Sequence, residues 1–159
     1  MVFQVGDRIA HPLHGAGVIS GIDTRRINGE NKRYYVLNLP GNGMVVMVPV
    51  DTCEAVGVRP LASDAEIEKL FSQIPSIDIS MTDNWNKRYR ENMQRIKSGD
   101  MLEVAAVIKG LVQRDSARGL STGERRMLNS AKQILLSEVI LSTNCSSDEA
   151  EERLMASLA

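Results

Sequence analysis

The chain has 159 residues, 43% hydrophobic and 25% charged, with a formal net charge of −1 at pH 7, which suits one globular domain or two small ones. Its apolar runs are far too short to span a bilayer, and the opening Met1-Val2-Phe3-Gln4-Val5-Gly6-Asp7 lacks the basic and apolar regions of a secretion signal, so no membrane partner is expected. Cys53 and Cys145 are too few and too far apart for a disulfide framework and have no zinc spacing, which points to a reducing cytoplasm.

Residues 1–59 read as β structure. Arg8-Ile9-Ala10-His11 follows a Gly6-Asp7 turn, and His14-Gly15-Ala16-Gly17 makes a second turn. A strand follows at Val18-Ile19-Ser20-Gly21-Ile22 and can run on to Ile27. Asn28-Gly29 between two strand-like runs signals a tight hairpin. Lys32 to Leu39 forms the next strand, Pro40-Gly41-Asn42-Gly43 a turn, and Met44 to Pro49 a further strand. So many short strands in this length predict a small, strongly bent antiparallel barrel.

From residue 63 the pattern turns helical. Ser63-Asp64-Ala65-Glu66, Ser121-Thr122-Gly123-Glu124 and Ser146-Ser147-Asp148-Glu149 each have the spacing of a capping box. Helices are expected over 63–73, 83–97, 100–114, 121–142 and 147–158. Apolar residues recur at the 3.6-residue period, as in Leu102, Ala105, Ile108, Leu111 and in Leu128, Ala131, Leu135, Val139. Ile74-Pro75-Ser76-Ile77-Asp78 reads as a linker-like break, because the residue before proline disfavours helix. The expected fold class is α+β in two domains, a small antiparallel β barrel over 1–59 and a compact all-α domain over 63–159.

The near-neutral total hides an asymmetry. Residues 1–59 carry +1, 60–82 carry −3, 83–132 carry +5, and 133–159 carry −4. One basic segment in a slightly acidic protein suggests a local anionic partner. Catalytic chemistry finds little support. His11 and His14, with Cys53 a conceivable third ligand, could share a metal, but nothing local supports the site, and the reading as turn or packing residues is much the stronger. No nucleophile elbow, phosphate-binding glycine loop or zinc-protease motif is present. No enzyme activity, cofactor, metal or small-molecule substrate is expected.

The segment Asp83 to Arg90 stands apart, because it joins the only Trp of the chain to three cations, Lys87, Arg88 and Arg90. Trp85, Tyr89, Met93 and Ile96 form one apolar helix stripe, and that spacing alone favours Trp85 in the core. Yet Trp85 sits in the first turn, where its ring can project and meet a base while the cations meet phosphates. Arg125-Arg126 adds a second cluster, which read alone is a solvated face.

Gly6-Asp7-Arg8-Ile9-Ala10-His11-Pro12, His14-Gly15-Ala16-Gly17, Val48-Pro49-Val50 and Val56-Gly57-Val58-Arg59 resemble the start of the CarD/CdnL family. Trp85 to Arg90, Ser98-Gly99-Asp100 and Gly119 to Leu128 resemble its helical half, in order along almost the whole chain. The resemblance implies a Tudor-like first domain, similar to that of the transcription-repair coupling factor, docking on the β-subunit lobe of RNA polymerase. It implies a helical domain that contacts promoter DNA at the upstream edge of the melted −10 region, where a Trp enters the minor groove and slows bubble collapse. Trp85 matches that wedge, with Lys87, Arg88, Arg90 and Arg125 as the basic positions around it. Arg25, Arg26 and Ile27 match a polymerase-facing strand, and Met47 stands where some members carry an arginine, which weakens the polar part of that contact. The other class of function left open is a protein–protein adaptor without direct DNA contact.

Overall fold

A computed structural model describes residues 2–41 and 43–159; Asn42 of the expected turn lies outside the described residues. The first half is a five-stranded antiparallel sheet of β1 (Arg8–His11), β2 (Gly15–Ile27), β3 (Glu30–Leu39), β4 (Met44–Pro49) and β5 (Arg59–Pro60), in the order β4-β3-β2-β1-β5. The described pairings leave β4 and β5 as edges. The second half holds α2 (Asp64–Gln73), α3 (Trp85–Lys97), α4 (Met101–Arg118), α5 (Thr122–Thr143) and α6 (Ser147–Leu158). A short helix, α1 (Cys53–Val56), lies between β4 and β5. Four residues carry no periodic signal, so the pattern of apolar residues missed it. No helix among the described residues is long and apolar enough to cross a membrane.

Local chemistry explains most of these elements. Asn28 and Gly29 adopt φ of 52° and 80°, the left-handed pair that a two-residue hairpin turn needs. Ser63 and Ser146 each accept the amide of the Glu three residues on, whose carboxylate returns to the serine amide, so both capping boxes are complete. At Ser121 the box is only half made. Its hydroxyl accepts the Glu124 amide at 3.2 Å, but the Glu124 carboxylate pairs with Arg88 and does not return to the Ser121 amide.

Two apolar clusters form. Ile9, Ile19, Tyr35, Leu37, Leu39 and Val48 fill the sheet's inner face, and Cys53 of α1 seals it. Ile67, Ile108, Leu111, Leu135, Val139 and Leu154 dominate the helical cluster. The expected linker at 74–78 is not one. Residues Ile74–Ser76 continue α2 as a 3₁₀ turn, and the buried Lys109 ammonium donates to the carbonyls of Ile74 at 2.9 Å and Pro75 at 3.0 Å. A buried ammonium needs acceptors, and these two carbonyls offset its desolvation cost and hold the segment in the bundle.

The sheet is fastened to α5 by polar contacts. Gly15 (φ 90°) lies so close to Ser137 that a Cβ there would collide with its hydroxyl; the hydroxyl accepts the neighbouring Ala16 amide at 2.9 Å. Arg8 donates to the Leu141 carbonyl at 2.9 Å. Arg59 of β5 grips the buried Glu138 carboxylate with two bonds, of 2.6 and 2.8 Å, and the Ala62 amide adds a third at 2.9 Å. Bidentate charge-assisted bonds of this kind fix angle as well as distance.

Two expectations follow. Glu138→Ala leaves the partly exposed Arg59 guanidinium without its ionic partner and should cost about 2–3 kcal/mol in urea unfolding, less than the roughly 3–5 kcal/mol of a fully buried pair because solvent screens the arginine. His11 is buried, its Nδ1 accepts the Leu13 amide at 3.1 Å, and burial and the neighbouring His14 push its pKa down to about 4. The folded chain therefore keeps His11 neutral where the unfolded chain protonates it, near 6.5. Its contribution is complete above that value and declines as pH falls toward 4. Urea unfolding at pH 7.5 and 5.5 should differ by about 1 kcal/mol on this account, a difference absent from His11→Gln.

Candidate nucleic-acid interface

The candidate site is the corner where α3 and α5 begin. Asn84 caps α3 by accepting the Lys87 amide at 3.0 Å, which sets Trp85 as the first helical residue. Trp85 is 42% exposed. Its indole stacks on Tyr89, one turn on, with ring centroids 5.2 Å apart and planes 17° apart. The indole Nε1 donates to the Ser121 hydroxyl at 3.0 Å. Trp85 is thus outside the core, contrary to what its spacing alone favours.

Lys87 and Arg90 are exposed, and among the described residues neither has an ion-pair partner. Arg125 is exposed and pairs with Asp115 at 3.0 Å. Arg114 and Arg118 flank the exposed Asp83 at 3.9 and 3.4 Å.

Arg88 requires a correction. It does not face solvent with its neighbours, being 2% exposed. Its Nε and Nη2 meet the two oxygens of the buried Glu124 carboxylate at 2.7 and 3.1 Å, and Nη1 donates to the Thr82 carbonyl at 3.0 Å. With its donors committed inside the fold, Arg88 is not available to a phosphate. The Arg88 bond holds the Glu124 carboxyl below its ordinary value, and the Glu124 bond in turn raises Arg88. The buried face of α3 is Arg88, Asn92 and Ile96, spaced four apart. It includes two polar residues that hydropathy assigns to the surface, so the stripe of Trp85, Tyr89, Met93 and Ile96 is rotated by about one position from the buried line. The one signal within reach was Glu124 in a cap position that Ser121 needs only in part.

On the sheet, register sorts the proposed polymerase-contact residues. Arg25 lies opposite Lys32, and Met47 opposite Val36. Alternation along β3 then brings Arg25, Ile27 and Met47 to one face, opposite the face that carries the buried Tyr35 and Leu37. Arg26 falls on the other face, with Arg33, at the hairpin's projecting end. The Arg25–Lys32 pairing sets two cations side by side, an unfavourable arrangement in the free protein, eased by Asp23 at 3.4 Å from Arg25. His11 and His14 have rings 4.5 Å apart, but among the described residues no group of three or more His, Cys, Asp or Glu gathers as a metal site would require.

The chain is thus an antiparallel sheet clamped to a helical bundle, with an exposed indole at one corner beside cations that have no ion-pair partner among the described residues. Comparison with known proteins identifies its kind. The model described as "CarD-like/TRCF RID domain" matches residues 3–62, and that described as "CarD, C-terminal domain" matches residues 69–155. The chain is 30% identical over 138 residues to YdeB of Bacillus subtilis (strain 168), named a candidate transcription factor, covering 87% of this chain and 90% of that one. It is also 34% identical to the 72-residue N-terminal domain of Myxococcus xanthus CarD, solved by solution NMR, over 36% of this chain and 77% of that one; the TM-score of 0.32 makes this a likeness of sequence. The chain belongs to the CarD family of transcription-related proteins.

The two kinds of cation separate by stability. Arg88→Ala strands a buried carboxylate and should cost about 3–5 kcal/mol in urea unfolding, whereas Lys87→Ala and Arg90→Ala should each stay within about 0.5 kcal/mol. Comparable losses at all three positions would contradict this division.

Proposed function

We propose that the protein binds the β subunit of RNA polymerase through the sheet face carrying Arg25, Ile27 and Met47, and promoter DNA through the α3–α5 corner. Trp85 enters the upstream edge of the −10 bubble and stabilises the open complex. These partners put its work in the cytoplasm. The observation that carries the reading is the only Trp of the chain, exposed on a Tyr89 platform beside Lys87 and Arg90. A large exposed ring flanked by cations offers an apolar face, and an unstacked base step is a surface it can pack against.

Lys87 and Arg90 meet phosphates directly. Arg125 does so by exchanging Asp115 for phosphate, and Arg114 and Arg118 by giving up Asp83. Such contacts set register and carry little sequence preference. Arg26, on the opposite face of the sheet, is not part of the polymerase contact patch. The energetics need no chemistry, because a ligand that fits only the opened junction shifts the closed–open balance by its differential affinity. Polymerase docking supplies the effective concentration that a modest grip on DNA requires.

Open-complex lifetime with purified polymerase tests the reading. Trp85→Ala should shorten the lifetime to that without the protein while polymerase binding is kept; an unchanged lifetime would sink the wedge. On DNA alone, Lys87→Ala, Arg90→Ala and Arg125→Ala together should flatten the salt dependence of binding by about two units or more of log–log slope. Asp83→Asn should do the opposite and tighten binding, since it frees Arg114 and Arg118.

A further inference from the structure

We infer that Ser121 is a positioning residue that orients the Trp85 indole and occupies its only hydrogen-bond donor, so that the ring acts on DNA by shape and stacking and reads no base. The inference rests on the reading of Trp85 as the DNA-facing wedge and extends it to how the wedge is held and what it recognises.

A serine hydroxyl has one donor and two acceptor positions, and at Ser121 all three are filled. It accepts the Glu124 amide at 3.2 Å and the Trp85 Nε1–H at 3.0 Å, and it donates to Glu124 Oε1 at 3.3 Å. That carboxylate is in turn fixed by Arg88, which also holds the Thr82 carbonyl ahead of α3. The hydroxyl therefore cannot rotate away without losing a partner, and the indole it holds inherits that orientation.

Two further contacts define the ring's seat. Tyr89 supports one face. Gly123 lies beside the far edge of the indole, where a Cβ would come within 3.4 Å of Cζ2. The ring is thus stacked on one face by Tyr89 and held at its one polar atom by Ser121. An indole has one donor and no acceptor. With Nε1 engaged by Ser121, it has nothing left to offer the edge of a base pair. A ring fixed before it meets DNA also loses less rotamer freedom on insertion.

The single tryptophan makes this measurable, since indole fluorescence reports Trp85 alone. Glycine caps a helix nearly as well as serine, so Ser121→Gly removes the hydroxyl while sparing the start of α5, and Arg88 still pairs Glu124. In the free full-length protein, the nanosecond anisotropy decay of the indole should become faster and larger in Ser121→Gly and stay as in wild type in Ser121→Thr. Open-complex stabilisation should fall about two- to ten-fold in the glycine variant, the span one neutral hydrogen bond corresponds to, and be restored by threonine. Changing the base pair at the upstream fork should alter wild-type stabilisation no more than it alters that of Trp85→Phe, which has no N–H. Unchanged anisotropy in Ser121→Gly, or base-pair discrimination present in wild type and lost in Trp85→Phe, would overturn the inference. Failure of the wedge itself shows separately, as a lifetime unaffected by Trp85→Ala.

Discussion

A carboxylate cannot lie buried without a partner, and helix α5 buries two. Glu124 in its first turn is held by Arg88, and Glu138, 14 residues later, by Arg59. At the rise of an α-helix those points are about 21 Å apart on one rigid rod. The first pair fixes α3 and hence the Trp85 corner; the second fixes β5 and hence the sheet. Apolar packing alone would tolerate small slides between these parts, whereas bidentate arginine–carboxylate pairs have a single good geometry. Buried ion pairs contribute little net stability because desolvation offsets attraction, so their role in this chain is one of arrangement.

Local signals carried most of the fold. The Asn28-Gly29 turn, the strand runs and the serine caps at 63 and 146 each depend on neighbouring residues, and each was legible. The helices were legible too, though α4 runs on to Arg118 because nothing in its last turn breaks it before Gly119. What the sequence hid were relations across many positions. Arg88 beside Lys87 and Arg90 looks like one more surface cation, and only Glu124, on another helix, turns it inward. Glu138 looks like an exposed charge on an amphipathic helix until Arg59 arrives from the sheet. Lys109 similarly appears solvated until the Ile74 and Pro75 carbonyls close over it. Buried polar residues defeat a reading built on hydropathy because their burial depends on partners that hydropathy does not contain.

The same distinction runs through the candidate site. That Trp85 lies outside the core was legible from its position in the first turn, against the evidence of its own spacing. Its seat was not identifiable, since Ser121 and Gly123 lie more than thirty residues away. The charged surface around it is also less freely cationic than the count of arginines suggests. Asp83 and Asp115 already occupy three of them, so a phosphate backbone must compete with carboxylates for those side chains.

The two clamps on α5 bear on how the chain can change length over evolution. A single residue inserted between Glu124 and Glu138 would swing one clamp by about 100° around the rod relative to the other and advance it by about 1.5 Å. Either β5 or α3 would then lose its buried carboxylate partner. An insertion at the exposed tip of the β2–β3 hairpin disturbs neither clamp. Descendants of this sequence should therefore vary in length at the hairpin and keep the fourteen-residue interval in α5, as a vernier keeps its scale while its handle is reshaped.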